Sequence, residues 1–401
     1  MKITDCFQVR NFVLAAVLGT GLSLVSPVFG QNISYIVDLN GAGLIKLGTL
    51  GGSDTFAQAI NDPGQVVGYS DTAEGSRHAF ITGPNGVGIT DLGTLGGDFS
   101  AAYGINAAGQ VVGAARTSIG NQHAFITGAN GTGMTDLGTL GTDDLAFSIA
   151  YDINAAGQVA GATSADLPGG GTTHAFITGP NGVNMTDLGT LGGSTNPSSA
   201  DASDALGGVN DAGQVAGNST TSGHYHAFIT GPDGVGMTDL GTLGGDFSFA
   251  WGINAAGRVV GESGTSGGDV HAFITGLNGV GMTDLDTLGG SQSFARGIND
   301  AGQVVGHSDT ADGSQHAFIT GPNGEGMTDL NSLVSLPTGI VLTEALAINN
   351  HGQIVAIAPI PEPAAYALML AGLGLVGFMA RREKSAKQAD GGAIFRVPVK
   401  D

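Results

Sequence analysis

"HAFITGPNGVGITDLGTLGG", residues 78–97, is the stretch that decides the fold, because near-copies of it return along the whole chain. Its His-Ala-Phe motif begins at six histidines spaced 45–52 residues apart: His78, His123, His174, His226, His271 and His316. A second motif, Ile-Asn-x-x-Gly-Gln-Val-Val-Gly, recurs around seven asparagines: Asn61, Asn106, Asn154, Asn210, Asn254, Asn299 and Asn349. Self-similarity at a period of this length indicates a repeat architecture.

Each repeat is expected to form four short β-strands. In residues 104–113, "GINAAGQVVG", β-branched segments flank Asn-Ala-Ala-Gly, where Asn opens a tight turn and Gly takes the left-handed position. Gly-Pro-Asn-Gly makes a second turn between two further strands, with Pro and Asn in the positions that they favour. The unit shows no helical periodicity. Four strands in about 40–50 residues is the size of one β-propeller blade.

The two ends of the repeat region predict how it closes. Residues 33–52 align without a gap to residues 78–97 and supply one half-unit, while residues 345–359 supply the complementary half. Left apart, the two hairpins would each expose strand edges, whereas an open solenoid would need polar caps. The sequence therefore predicts an all-β, seven-bladed β-propeller over residues 31–358, closed by pairing of the N- and C-terminal half-repeats. An open β-solenoid is the alternative.

The two termini predict targeting segments. Residues 1–30 form a signal peptide, with Lys2 and Arg10 near an apolar run at 12–25 and small residues before Gln31. The single cysteine, Cys6, lies within it, so neither a disulfide nor a thiolate metal site is expected. Residues 359–383 contain Pro-Glu-Pro, an apolar run at 364–380 and two arginines, as in a short transmembrane helix with a cytoplasmic stop. Residues 384–401 are a polar tail.

Two family resemblances follow from these motifs. The repeat resembles the HAF repeat of exported bacterial proteins, and its strand order and Gly-Gly pair are similar to kelch blades, although the kelch aromatic positions are mostly absent. Residues 359–383 resemble the PEP-CTERM sorting signal, which implies processing by signal peptidase and an exosortase-type enzyme and an association with extracellular polysaccharide and biofilm. The resemblance predicts an exported protein, anchored to the membrane or at the cell surface, or released to the matrix after C-terminal processing.

Charge narrows the class of ligand. Residues 31–358 contain 29 acidic and 5 basic residues, a net charge of −24, which would repel nucleic acid. Two loops place acidic side chains three residues apart, Asp71 with Glu74 and Asp309 with Asp312. Such loops offer some of the oxygen ligands that calcium needs. Calcium is the one metal considered, and no other cofactor is expected.

The variable positions predict a ligand site. The distance from each repeated His to the Asp thirteen residues later is constant, whereas the connections before the repeated Asn vary in length, which assigns the variable loops to one face. The residue three before each repeated Asn also varies between units: Gln58, Tyr103, Tyr151, Gly207, Trp251, Arg296 and Leu346. Tyr103, Tyr151, Trp251 and Arg296 are predicted to ring the mouth of the central channel, where they suit stacking on sugars or docking an acidic chain. Packing between blades is the alternative.

The repeated polar residues are expected to be structural. The six histidines are interpreted as hydrogen-bonding groups rather than metal ligands, and the repeated Asp as a strand or turn residue: Asp91, Asp136, Asp187, Asp239, Asp284 and Asp329. The sequence lacks the motifs of serine hydrolases, zinc proteases and phosphate-binding loops. We therefore expect a non-catalytic surface or matrix protein that binds extracellular polysaccharide or a protein partner. The alternative is an extracellular hydrolase or lyase that acts on polysaccharide at the propeller face.

Overall fold

The computed structural model describes residues 32–41, 43–165, 172–192, 202–221 and 223–359, which fall within one compact unit. Within these residues the regular structure consists of β-strands and single-turn 3-10 segments. No helix in the described part of the chain is long and apolar enough to cross a membrane. The predicted signal peptide, the apolar segment after the Pro-Glu-Pro motif and the polar tail lie outside the described residues.

Antiparallel pairing sorts the described strands into groups of four, and the first group combines both ends of this unit. It comprises β1 (Asn32–Asp38), β2 (Gly43–Lys46), β27 (Glu344–Ile348) and β28 (Gln353–Pro359) in the order β2-β1-β28-β27. Strand β1 pairs with β28 along its whole length, from Asn32 opposite Pro359 to Asp38 opposite Gln353. The predicted pairing of the two half-repeats is therefore present.

The other groups follow one another along the chain, each made of four consecutive strands. They are β3 (Gly51–Ile60), β4 (Val66–Thr72), β5 (Arg77–Ile81) and β6 (Thr90–Asp91); β7 (Gly96–Ile105), β8 (Val111–Thr117), β9 (Gln122–Thr127) and β10 (Met134–Asp136); β11 (Ser148–Ile153), β12 (Val159–Ala165), β13 (Thr172–Thr178) and β14 (Met185–Asp187); β15 (Ser203–Val209), β16 (Val215–Thr221), β17 (His224–Thr230) and β18 (Met237–Asp239); β19 (Gly244–Ile253), β20 (Val259–Thr265), β21 (Val270–Thr275) and β22 (Met282–Asp284); and β23 (Gly289–Ile298), β24 (Val304–Thr310), β25 (Gln315–Thr320) and β26 (Met327–Asp329). Parallel bridges from β5 to β7 and from β21 to β23 join two pairs of groups into eight-stranded sheets.

The 3-10 segments lie almost entirely in the second turn of each unit. They are Pro84–Gly86, Ala129–Gly131, Pro180–Gly182, Pro232–Gly234, Leu277–Gly279 and Pro322–Gly324, with a further one at Leu330–Ser332. In the unit of β7–β10, Asn130 and Gly131 both have left-handed backbones, with φ of 54° and 73°. Gly109, in the Asn-x-x-Gly turn, is also left-handed, and its carbonyl accepts the Gly131 N–H at 3.0 Å. The two invariant turns therefore stack on each other at one end of the unit, as the constant spacings predict.

The apolar core lies between neighbouring groups. The phenylalanine of each His-Ala-Phe motif is fully buried: Phe80, Phe125, Phe176, Phe228, Phe273 and Phe318. Phe125 of β9 packs in one cluster with Val67 and Ile81 of the preceding group. Burying such a side chain stabilises the fold by about 1.5–3 kcal/mol. Because each cluster draws on two groups, a single unit cannot complete its own core.

The repeated asparagines link the groups in series. Each is nearly buried, and its side-chain Nδ2 donates to the backbone carbonyl of the asparagine in the next group, over 3.0–3.4 Å. The last of them, Asn349, donates to the carbonyl of Asn61 at 3.0 Å, so the series returns to its first member. For the described residues, the prediction of an all-β fold with groups of four strands is confirmed.

Candidate functional site

The repeated histidines and aspartates are partners of each other. In all six units the His Nδ1 lies 2.7–2.8 Å from a carboxylate oxygen of the Asp thirteen residues later. The same Asp accepts a backbone N–H two residues further on, at 2.7 Å in the case of Asp91 and Gly93. The hydrogen-bonding role predicted for the histidines is confirmed, and each pair ties the short fourth strand to the third. Sequence reasoning treated the two residues separately, although their constant spacing was the available signal.

A β-bulge directs the variable side chains into one cavity. On strand β7, Ala102 and Gly104 pair with consecutive residues of β8, so Tyr103 between them is the extra residue. In each of the other six groups, the strand that ends just before the repeated Asn has a register shift at the equivalent position. A bulge interrupts the alternation of side chains between the two faces of a strand, and it thereby redirects the side chain of the extra residue. All seven residues at this position line a cavity of about 590 Å³: Gln58, Tyr103, Tyr151, Gly207, Trp251, Arg296 and Leu346.

The structure thus brings together the four residues predicted as ligand-binding. Tyr103, Tyr151, Trp251 and Arg296 are all half-buried and all line this cavity. A second cavity, of about 260 Å³, lies on the side of the Asn-x-x-Gly turns and is lined by six of the seven repeated asparagines. Three isoleucines line both cavities: Ile253, Ile298 and Ile348. The two cavities therefore adjoin each other at these isoleucines.

Trp251 and Arg296 belong to a charged cluster that the sequence did not predict. The Arg296 guanidinium lies 4.5 Å from the centre of the Trp251 ring. Its Nε donates to Glu344 at 3.1 Å and its Nη1 to Glu262 at 3.4 Å, while the Trp251 indole N–H donates to Glu262 at 2.6 Å. Arg296 is thus neutralised by two carboxylates and covers one face of Trp251. The arginine alone therefore gives no reason to expect an acidic ligand.

The two carboxylates of this cluster titrate differently. Burial raises the pKa of Glu262, against the opposing effect of Arg296. Burial acts in the same direction on Glu344, but His307 and Arg296 together hold the pKa of Glu344 below its ordinary value. His307 Nδ1 lies 3.2 Å from Glu344 Oε1, at ion-pair distance but poorly aligned for a hydrogen bond, and its ring stacks on Phe294.

A further unpredicted carboxylate, Asp152, lies directly on the cavity wall. It accepts the Val209 N–H at 3.0 Å, and its carboxylate fills the space beside Gly208. Burial raises the pKa of Asp152 to about 6. The corresponding position is Gly or Ala in the other six units: Ala59, Gly104, Gly208, Gly252, Gly297 and Ala347. This single departure from the repeat was the signal that could have identified Asp152.

Two tyrosines adjoin Asp152. The rings of Tyr103 and Tyr151 lie 6.1 Å apart between centres, inclined at 52°. Burial raises the pKa of Tyr151, and the charge of nearby Asp204 adds to the effect. Asp204 accepts the Asn218 amide at 2.9 Å and the Leu206 N–H at 3.2 Å, and burial raises the pKa of Asp204 to about 6.

The four acidic residues considered for calcium lie in two separate loops. Asp71 binds Arg77, with 3.2 Å between Oδ1 and Nε. Asp312 accepts the Thr310 hydroxyl and the Ser314 N–H within its own turn. Calcium binding by Asp71, Glu74, Asp309 and Asp312 stays a prediction. Elsewhere in the described residues, the ligand atoms of His271, Asp284 and Asp286 lie within 4.8 Å of one another.

Comparison with known families matches residues 359–383 to the PEP-CTERM protein-sorting motif. The chain carries this sorting signal. The prediction made from the Pro-Glu-Pro motif, the apolar run and the arginines is therefore confirmed at the level of sequence, and the signal supports export. Among curated proteins, none matches this chain.

Solved structures with a similar fold have little sequence in common with it. A prolyl endopeptidase is 9% identical with a TM-score of 0.52, over 76% of this chain and 49% of that one. An oligogalacturonate lyase in complex with manganese is 11% identical with a TM-score of 0.45, over 83% and 98%. TolB from Acinetobacter baumannii is 14% identical with a TM-score of 0.40, over 62% of each chain. At these identities, the likeness to the prolyl endopeptidase supports a propeller-like fold and says nothing about activity.

Proposed function

We propose that this chain is an exported, closed, seven-bladed β-propeller that binds saccharide chains in the cavity lined by the bulged residues. Two observations favour ring closure: β1 pairs with β28 over seven residues, and the asparagine series returns from Asn349 to Asn61. The sorting signal supports display outside the cytoplasm. We further propose that the chain is cleaved after residue 30 and that an exosortase-type enzyme recognises residues 359–383. The protein is then anchored at the membrane or cell surface, or released to the matrix.

The convergence of the bulged side chains on one cavity carries the proposal. The core residues and turns repeat almost unchanged, whereas this position holds six different residue types in the seven units. Its volume of about 590 Å³ lies in the ordinary range for a small-ligand pocket. Tyr103 and Tyr151 offer partly accessible rings with polar ends, which suit stacking against sugar rings together with hydrogen bonding to hydroxyl groups.

One observation favours the catalytic alternative. Asp152 lies on the cavity wall, and its pKa of about 6 suits a general acid of a polysaccharide hydrolase or lyase. The other carboxylate with a pKa near 6, Asp204, is held by Asn218 and Leu206 and is not among the residues that line the cavity. Because a second carboxylate facing Asp152 across the cavity is not found among the described lining residues, we favour binding over catalysis.

The test compares stacking residues inside and outside the cavity. The full chain, purified in detergent, is measured for binding to a panel of oligosaccharides by calorimetry, and the products are examined for cleavage. We expect Tyr103→Ala and Tyr151→Ala each to weaken binding by about tenfold, since a stacked aromatic ring contributes on the order of 1 kcal/mol or more. Tyr225, which is 41% exposed and stacks on Phe249 away from the cavity, supplies the matched control Tyr225→Ala.

Two results would refute the proposal: no binding to any member of the panel by the wild-type chain, or equal losses in the Tyr225→Ala control and the cavity variants. Thermal unfolding of each variant shows whether a loss of binding is a loss of folding. Cleaved products that disappear in Asp152→Asn would instead establish the catalytic alternative.

A further inference from the structure

We propose that the saccharide carries free amino groups, and that Asp152 together with the Tyr103–Tyr151 pair binds one of its ammonium groups. This inference rests on the proposed function and names the chemical class of its ligand. The residue that follows the bulge is Gly or Ala in six units and aspartate in the seventh, at Asp152.

Asp152 occupies a position that the fold otherwise keeps small. It pairs with Ala160, in the same register as Gly104 with Val112 and Gly252 with Val260 in other groups. The fold therefore does not need a carboxylate there, and six units manage without one. Burying a carboxylate costs free energy unless it gains a partner. The described residues give Asp152 backbone N–H groups as its hydrogen-bonding partners, from Val209 and Ile153.

The surroundings of Asp152 leave its negative charge uncompensated. The charged group that acts on Asp152 is another carboxylate, Asp211, on the side of the second cavity, and a further carboxylate, Asp204, acts on the adjoining Tyr151. The arginine of the same cavity, Arg296, is already bound to two glutamates. An anionic saccharide would meet repulsion here, and a neutral one would leave the buried carboxylate without a counter-charge.

An ammonium group matches both features of this wall. It donates charge-assisted hydrogen bonds to a carboxylate, and it is attracted to the faces of aromatic rings. Tyr103 and Tyr151 present two mutually inclined rings to the cavity that Asp152 also lines. Amino sugars combine such a group with a ring that stacks on tyrosine, so an oligomer of an unacetylated amino sugar satisfies the whole site.

The expected pH dependence follows from the same pairing. The bound ammonium favours the ionised form of Asp152. The affinity for the ligand is therefore highest once the Asp152 carboxyl has lost its proton. Since the pKa of Asp152 in the free chain is about 6, affinity should rise between about pH 5 and pH 7, as long as the ligand's amine stays protonated.

The experiment measures calorimetric binding of three hexamers to the full chain: glucosamine, N-acetylglucosamine and galacturonate. We expect wild type at pH 7 to bind the glucosamine hexamer at least about tenfold more tightly than the acetylated one, the range of a charge-assisted hydrogen bond, and the galacturonate hexamer most weakly. Asp152→Asn should remove this preference and the pH dependence. Asp152→Gly, which installs the residue that four other units have there, should do the same if the Asn variant fails to fold.

Asp211→Asn is the matched control, because Asp211 lines the neighbouring cavity and binds the Ala155 N–H at 2.9 Å. It should keep the preference for the amino sugar. Equal binding of the amino and acetylated hexamers by wild type, or an unchanged preference in both Asp152 variants, would overturn this inference and leave the proposed saccharide binding intact. Failure of all three hexamers and of the wider panel to bind would overturn the proposed function itself.

Discussion

Replacing Asn349 with alanine tests whether the ring is closed. The Asn349 side chain donates to the Asn61 carbonyl at 3.0 Å and to Gln353 Oε1 at 2.9 Å, and it accepts the backbone N–H groups of His351 at 3.1 Å and Gln353 at 2.9 Å. It is 4% exposed, so water cannot readily replace these partners. At about 0.5–1.5 kcal/mol net for each hydrogen bond, the loss of all four destabilises the fold by about 2–6 kcal/mol.

Asn210 provides the internal reference. It makes the same four kinds of hydrogen bond and is 5% exposed, but its interblade bond goes to Asn254, far from both ends of the described unit. Urea unfolding of Asn349→Ala and Asn210→Ala, followed by tryptophan fluorescence, compares the two losses. In a closed ring, the two variants lose the same unfolding free energy within about 1 kcal/mol, because each asparagine then has a neighbouring group of strands on both sides. A loss for Asn349→Ala of less than half that for Asn210→Ala would refute closure and favour the open solenoid.

Two further predictions concern single departures from the repeat. Asp286 has a left-handed backbone with φ of 61°, where the equivalent Gly241 has 74°. Because glycine adopts this conformation without strain, Asp286→Gly should stabilise the fold by about 0.5–1 kcal/mol and raise the melting temperature. A lower melting temperature would contradict this prediction. Asp152 has a folded-state pKa of about 6, above its ordinary value, so the folded chain holds this proton more tightly and its contribution to stability falls as pH rises from about 4 to 6. Between pH 4 and pH 7, the unfolding free energy of wild type in urea should therefore fall by up to about 2–3 kcal/mol relative to that of Asp152→Asn. A difference between the two proteins that stays constant with pH would count against a raised pKa of Asp152.

The features that the sequence predicts well are local and repeated. Left-handed positions in the two turns require Gly or Asn, so residues such as Gly109 and Asn130 identify the hairpins by their chemistry alone. The pairing of β1 with β28 follows from an alignment of half-units, because each half lacks a partner elsewhere. The cavity position was predictable for a similar reason: Tyr103 and its equivalents vary in a sequence that otherwise repeats.

The features that the sequence does not predict depend on distances between groups. Arg296 lies 48 residues from Glu344, and only the packing of adjacent groups shows that Glu344 and Glu262 neutralise it. The sequence likewise places Asp152 on the first strand of its unit but does not show that its carboxylate fills the space beside Gly208. An interpretation of Arg296 from residue type alone therefore overstates the attraction of the cavity for an acidic chain.

The bulge explains how one fold can keep its core and still vary the side chains that line its cavity. The core phenylalanines are fully buried, and truncating one costs about 3–5 kcal/mol, which forbids most substitutions there. The bulged residue lies outside the regular pairing, and its side chain is half-buried at the cavity, so the fold accepts glycine at 207 as well as tryptophan at 251. Substitutions at such partly exposed positions usually change stability far less than core truncations do. The composition of the cavity wall is therefore set almost independently of the fold. Under the proposed function, a change of ligand would need changes only at the bulged residues and at the small residue that follows each of them, where Asp152 is the present exception.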